Sequence, residues 1–370
     1  MRTLRQTIHF PSLGYPLEKI APLNKILFLD IETTGFTAKS SSLYMIGTTY
    51  FEDGKWYIKQ WFANGYEEEP EILSAFFNFA RGYSHLIHFN GNNFDLPFLL
   101  QKCSQYDLPY HFNDFEGIDI YRRIVPYKSF LRLPNCKQKT LEQFLGIKRE
   151  DTYSGGELIS VYHTYVKTPT DYGFQALALH NADDMKGMLQ ILPLLSYYDL
   201  INELPRPKKV QANYYHDING ERHQELLMKL TLSSPLPQPL SGTAESCYFK
   251  GEGTEATLRV PLYEEEMKYF YSNYKNYYYL PEEDCAIHKS VASYVDKKHR
   301  IQATAKNCYT RKLSTYLPQW DILFQPFFKR SYEDRDIFFE LTEEMKKERR
   351  LFSEYAGHII NMIVASYTKS

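Results

Sequence analysis

The chain lacks the features that would place it in a membrane, in a secreted disulfide scaffold or on a highly charged polyelectrolyte. No apolar run among its 370 residues reaches membrane-spanning length, and the first sixteen, MRTLRQTIHFPSLGYP, have no secretory apolar core. A cytoplasmic location with no membrane partner is expected on that ground. Cysteine is scarce and odd in number: Cys103, Cys136, Cys247, Cys285 and Cys308. No two have the short spacing of a zinc knuckle or a redox pair, so reduced, buried thiols are expected. Charge of one sign is also missing. The formal net charge is −2, which excludes a global attraction to polyanions, so any basic surface must be local. No repeat of fixed period is present.

What is there in quantity is apolar and aromatic. An apolar fraction of 43% supports true cores, and the length suits two domains. Aromatics reach 16%, with 32 tyrosines, a side chain that serves half-buried surfaces and base stacking alike. After a lead-in (residues 1–24), Lys25 to Asp30 reads as a buried strand. Leu43 to Phe51 and Lys55 to Phe62 flank Asp53-Gly54 and read as a hairpin. Helices are expected over Pro70 to Arg81, Phe94 to Gln105, Thr140 to Leu145, Glu157 to Val166 and Gly173 to Leu195, with short strands at His85 to Phe89 and Gly117 to Tyr121. This order predicts an α/β domain over residues 25–200: a mixed sheet with helices on both faces. A proline-bearing linker near residues 200–210 then leads to a smaller α+β domain, 211–370. There, strands are expected at Glu225 to Leu232, Ser246 to Lys250, Ala256 to Leu262, Asn276 to Leu280 and Arg300 to Cys308. Helices are expected at Glu264 to Tyr271 and Asp284 to Val295, and a long amphipathic C-terminal helix from Phe338.

Three short acidic motifs carry the chemistry. Asp30 and Glu32 close an apolar strand in LFLDIETTG, and residues two apart on a strand share a face. Asp95 follows NGNNF at a loop-to-helix junction, where a helix N-terminus favours a carboxylate. Asp184 lies in LALHNADDMKG, with His180 four residues before it on the same helical face. Four carboxylates meeting at a strand end repel one another unless cations intervene, and hard oxygen donors suit two Mg²⁺ or Mn²⁺ ions. Paired ions of that kind cut phosphodiesters.

With the blocks LDIETTGF, FNGNNFDLPFL, KQKTLEQFLGIKRED, SGGELISVYHTYV and HNADDM, residues 25–195 resemble the DEDD exonucleases of the ribonuclease-H-like fold. They look most like the YprB-type branch of DnaQ-like enzymes. The resemblance implies a metal-dependent 3′→5′ exonuclease acting on single-stranded DNA or RNA, with Asp30, Glu32, Asp95 and Asp184 as ligands to two ions. It also implies a residue in the last motif that deprotonates the attacking water. One subgroup places a tyrosine there with three intervening residues, another a histidine with four. This chain has histidine with three, His180-x-x-x-Asp184, and the base assignment stays open. The alternative is a ribonuclease-H-like nucleic-acid-binding module with weak catalysis.

Thr33, Thr34 and Gly35 lie where a backbone or hydroxyl group approaches a terminal nucleotide, and Asn90 and Phe94 where one is positioned or stacked. Lys137, Lys139, Lys148 and Arg149 are candidates for phosphate contact. Between residues 297 and 330, eight Lys and Arg stand against the single acid Asp321, interleaved with Tyr309, Tyr316, Trp320, Phe324, Phe327 and Phe328. Two readings stay open: a single-strand track, or a basic solvated face over an aromatic core.

Overall fold

A computed structural model describes residues 1–9, 12–148, 155–216 and 218–368. The chain divides into two compact units, one of residues 1–199 with 234–238, the other of 200–233 with 239–370.

The first unit is built on a six-stranded mixed sheet. Its strands are β1 (Arg2–Ile8), β2 (Ile26–Thr33), β3 (Leu43–Glu52), β4 (Lys55–Phe62), β5 (His85–His88) and β6 (Glu116–Asp119), in the order β1-β4-β3-β2-β5-β6. β1 to β4 pair antiparallel, and β5 and β6 join β2 in parallel. The lead-in is therefore more than packing: its first residues supply an edge strand in full register with β4. β1 was missed because it is mostly exposed and lacks an apolar period.

Alternation along β2 assigns its two faces. Leu27, Leu29 and Ile31 enter one core with α1 (Glu69–Ala80) and α2 (Asp95–Gln105), through Ile72, Leu73, Phe76, Phe98 and Leu99. Residues of the other parity, Asp30 and Glu32 included, belong to the opposite face. There Tyr44, Met45 and Phe62 pack against α5 (Gly155–Lys167) and α6 (Asp171–Gln190), reached from α1 and α2 through the short α3 (Ile120–Ile124) and α4 (Gln138–Phe144). α7 (Leu195–Asn202) follows. Helices thus cover both faces of the sheet, and the acidic motifs sit where β2, α2 and α6 meet.

One buried ion pair ties the helices to the sheet. Lys102 of α2 stands 2.8 Å from Glu69 of α1, both almost fully buried. Glu69 also accepts from the Leu43 amide at 2.9 Å and the Tyr106 hydroxyl at 2.8 Å.

The second unit is richer in strand than its sequence suggests. β7 (Arg206–His216), β8 (Arg222–Ala244) and β9 (Cys247–Pro261) form one sheet. β10 (Tyr263–Phe270) heads another, β10-β14-β16-β15, with β14 (Tyr309–Gln319), β15 (Phe327–Phe328) and β16 (Ile337–Glu340); β11 (Tyr277–Leu280), β12 (Cys285–His288) and β13 (Ile301–Gln302) form a third. The helix expected over Glu264 to Tyr271 is the strand β10. Its Glu-rich sequence favours helix, but Met267 is buried while Glu265 and Glu266 pair with Arg330 and Arg311, and that packing overrides propensity. The helix expected over Asp284 to Val295 is β12 followed by one turn, α8 (Lys289–Ala292). The strand expected over Arg300 to Cys308 shrinks to Ile301–Gln302. The C-terminal helix, α9, runs Arg349–Thr368, while Phe338 lies in β16. Only residues 203–205 separate α7 from β7, so the expected linker is largely occupied by regular structure.

Four of the eight basic groups in the stretch 297–330 stand beside acids. Arg311, Lys312 and Arg330 pair with Glu266, Glu340 and Glu265, and Lys306 pairs with Glu333. Tyr309, Tyr316 and Phe328 are buried. Acids distant in sequence thus neutralise much of what looked like a phosphate track.

Removing one member of a buried ion pair strands the other. Glu69→Ala is expected to cost about 3–5 kcal/mol, measured by chemical denaturation.

Candidate metal centre

β2 ends in a bulge that shapes the site. Its register with β3 shifts between Glu32 and Thr33, leaving Tyr44 without a partner across the strand pair. A bulge re-aims side chains at a strand end. The Tyr44 hydroxyl donates to Glu32 Oε2 at 3.5 Å, while its ring stacks on Tyr162 at 4.4 Å. Burial and the neighbouring Glu32 hold Tyr44 well above the usual phenol range, so it stays a neutral donor.

Asp30 is held from α6. Asn181 Nδ2 donates to Asp30 Oδ2 at 2.9 Å, and Asn181 Oδ1 accepts from Gln60 Nε2 at 2.9 Å. Asp30, Gly47 and Gln60 are cross-strand neighbours in one row. Asn181 spans that row over Gly47, where a Cβ would come within 2.0 Å of its Oδ1. Glycine at 47 is what lets the helix approach. Sequence reasoning missed Asn181, Gly47, Gln60 and Tyr44. Asn181 stood inside the quoted HNADDM block, but its role depends on a glycine on β3, far from it in sequence.

Asp95 opens α2 and accepts from the Ile31 amide at 3.2 Å, which joins it to the strand between Asp30 and Glu32. The preceding loop is braced by Asp119, which accepts from the amides of Asn90 (2.9 Å) and Asn92 (3.3 Å). Asp184 lies on α6, its carbonyl accepting from Gln138 Nε2 at 2.9 Å, which sets the start of α4 beside it. The adjacent Asp183 pairs instead with Lys186. His180 Nε2 lies 3.4 Å from Asp184 Oδ2 and 3.9 Å from Glu32 Oε1. Donor atoms of Glu32, His180 and Asp184 all fall within 4.8 Å of one another.

Electrostatics reflect this crowding. Glu32, with only 12% of its side chain exposed, is held well above the usual carboxylate range, first by burial and then by Asp184 and Asp95. Burial, opposed by the Ile31 amide and aided by Asp119 and Asp184, pushes Asp95 up to about 7.

Residues 27–196 match the family model of the RNase H superfamily. With its mixed sheet covered by helices on both faces, this part of the chain has an RNase H-like fold. No curated protein matches the chain. Among solved structures, a family B DNA polymerase from the hyperthermophilic archaeon Pyrobaculum calidifontis is similar, at 12% identity and a TM-score of 0.38, over 69% of this chain and 35% of that one. The zinc-ion-bound E. coli exonuclease I complex with single-stranded DNA aligns at 13% identity and a TM-score of 0.28, over 56% of this chain and 54% of that one. Exonuclease I with a dT13 oligonucleotide aligns at 12% identity with the same TM-score and coverage. The chain thus spans about a third to a half of these proteins, and likenesses so partial transfer no activity.

The RNase H-like domain brings Asp30, Glu32, Asp95, His180 and Asp184 to one strand end. The donor set fits divalent ions: carboxylate oxygens with one imidazole nitrogen, crowded enough that burial and repulsion favour protonation of Glu32 and Asp95, a penalty that a cation relieves. The expected substrate contacts sit in the two loops beside it. Thr33 donates its hydroxyl to the Gly35 carbonyl at 2.8 Å, and the Thr34 hydroxyl accepts from the Ser42 amide at 2.8 Å, so both are engaged in shaping the turn. Asn90, at positive φ, accepts from Asn93. Phe94 packs edge-on against Phe36, which is 91% exposed, at 6.1 Å. Lys137 and Lys139 are exposed at the start of α4, and Arg149 lies outside the described residues.

Two outcomes follow from this geometry. A carboxyl raised from 3.8 to about 7 on folding stabilises the fold while protonated, and that contribution is lost as pH rises between those values. In metal-free protein, Asp95→Asn is therefore expected to gain stability over the unaltered chain as pH rises from about 4 to 7, by at least ~1 kcal/mol at neutral pH, with the advantage level above that. Denaturation at several pH values in chelator checks it. Gly47→Ala, which drives a methyl into Asn181, is expected to cost about 1–3 kcal/mol and to reduce the rise in melting temperature on adding Mn²⁺.

Proposed function

We propose that this chain is a divalent-metal-dependent nuclease that hydrolyses phosphodiester bonds, removing nucleotides 3′→5′ from single-stranded DNA or RNA. The observation that carries the reading is the convergence of Asp30, Glu32, Asp95 and Asp184 at one strand end of an RNase H-like domain. Two ions, Mg²⁺ or Mn²⁺, held by these carboxylates would supply a water of lowered pKa and neutralise charge on the leaving oxygen. The chain's own groups do the positioning. Asn181 fixes the rotamer of Asp30, Tyr44 that of Glu32, and the Ile31 amide that of Asp95. The exposed ring of Phe36, backed by Phe94, offers a stacking surface to a terminal base at the edge of the site. Lys137 and Lys139 supply positive charge on the side of Asp184 for the phosphate backbone.

Digestion of 5′-labelled single strands in Mg²⁺ or Mn²⁺ tests this. A ladder of shortened products that keep the label is expected, with Asp30→Ala at least ~100-fold slower. Binding without cleavage in every metal would leave a nucleic-acid-binding module, and loss of the label as a first product would reverse the polarity.

A further inference from the structure

The spacing of His180 and Asp184 has a geometric consequence. On an α-helix, four residues amount to about 40° of rotation, whereas five amount to about 140°. A histidine five residues before the last aspartate faces away from it, but one four residues before stands over it. Here that places Nε2 at 3.4 Å from Asp184 Oδ2 and 3.9 Å from Glu32 Oε1, with 7% of the histidine side chain exposed. Donor atoms that share one ion at ~2.0–2.2 Å stand roughly 3–4.4 Å apart. Both separations fall within that range. The same two-ligand, one-turn spacing on a helix is how metalloprotease helices present paired donors to zinc.

We propose that His180 is a metal ligand, completing with Glu32 and Asp184 a mixed oxygen–nitrogen site, in place of the proton-accepting role that the family resemblance implies for a residue of this motif. The roles exclude each other at a given nitrogen, because a lone pair given to an ion cannot accept a proton. A nitrogen donor changes which ion is preferred. Mg²⁺ favours all-oxygen shells and sheds its waters reluctantly, while Mn²⁺, a first-row transition ion, accepts an imidazole nitrogen more readily than Mg²⁺ does. The site therefore selects Mn²⁺ over Mg²⁺. This rests on the metal reading of the site but not on phosphodiester hydrolysis, so it is tested by binding alone.

The experiment uses the full chain with one equivalent of Mn²⁺. Pulsed EPR is expected to show coupling to a coordinated imidazole nitrogen, absent in His180→Ala. Calorimetry is expected to show Mn²⁺ binding at least ~tenfold tighter than Mg²⁺, with His180→Ala losing at least ~tenfold in Mn²⁺ affinity while Mg²⁺ affinity changes less than about threefold. Melting curves check that the variant folds, and the EPR signal of the unaltered chain stands without it. Bound Mn²⁺ with no nitrogen coupling, or coupling that persists in His180→Ala, overturns the ligand role while leaving the metal site standing. No binding of either ion overturns both.

Discussion

Buried negative charge is the constraint on which the site depends. Glu32 and Asp95 sit deep enough, and close enough to Asp184, that burial and repulsion drive both toward protonation. Such an arrangement persists only where the scaffold fixes each group. β2 supplies two acids on one face and, through the Ile31 amide between them, holds the third. The bulge turns Tyr44 toward Glu32, and Asn181 reaches Asp30 across Gly47. The stability given up to hold like charges together is what makes a divalent ion welcome.

The architecture around that charge follows from it. α6 must lie close over β3 to bring Asn181, His180 and Asp184 to the strand end, and glycine at 47 removes the side chain that would hold it off. α2 must begin beside Ile31, and the Asp119-braced loop with the Glu69–Lys102 pair fixes where it begins. Loops at the same end carry Phe36 and Phe94; Phe94 packs on the core beside Phe98 and backs the exposed ring of Phe36.

Much of the first unit was legible in sequence because its signals are local. An apolar run ending in Asp30, an Asp-Gly turn between two strands and the helical periods are each written in consecutive residues. Asn181 was not legible, since its partners Gln60 and Gly47 become neighbours only through sheet register. β1 was not, because an exposed edge strand needs no apolar period. In the second unit, Glu264 to Tyr271 carries helical propensity locally but is held extended by pairing with β14, and four of the eight positive charges, Lys306, Arg311, Lys312 and Arg330, have acidic partners that are remote in sequence. The shared lesson is that charge and propensity read along the chain mislead where cross-strand partners decide.

If these acids stand together to hold divalent ions, the site must load with them. The most direct measurement is a crystal soaked in Mn²⁺ with data collected at an energy where manganese scatters anomalously. Anomalous density bounded by Asp30, Glu32, Asp95 and Asp184 is expected. Well-ordered carboxylates with no such density at saturating Mn²⁺, or density held only elsewhere on the chain, would contradict it.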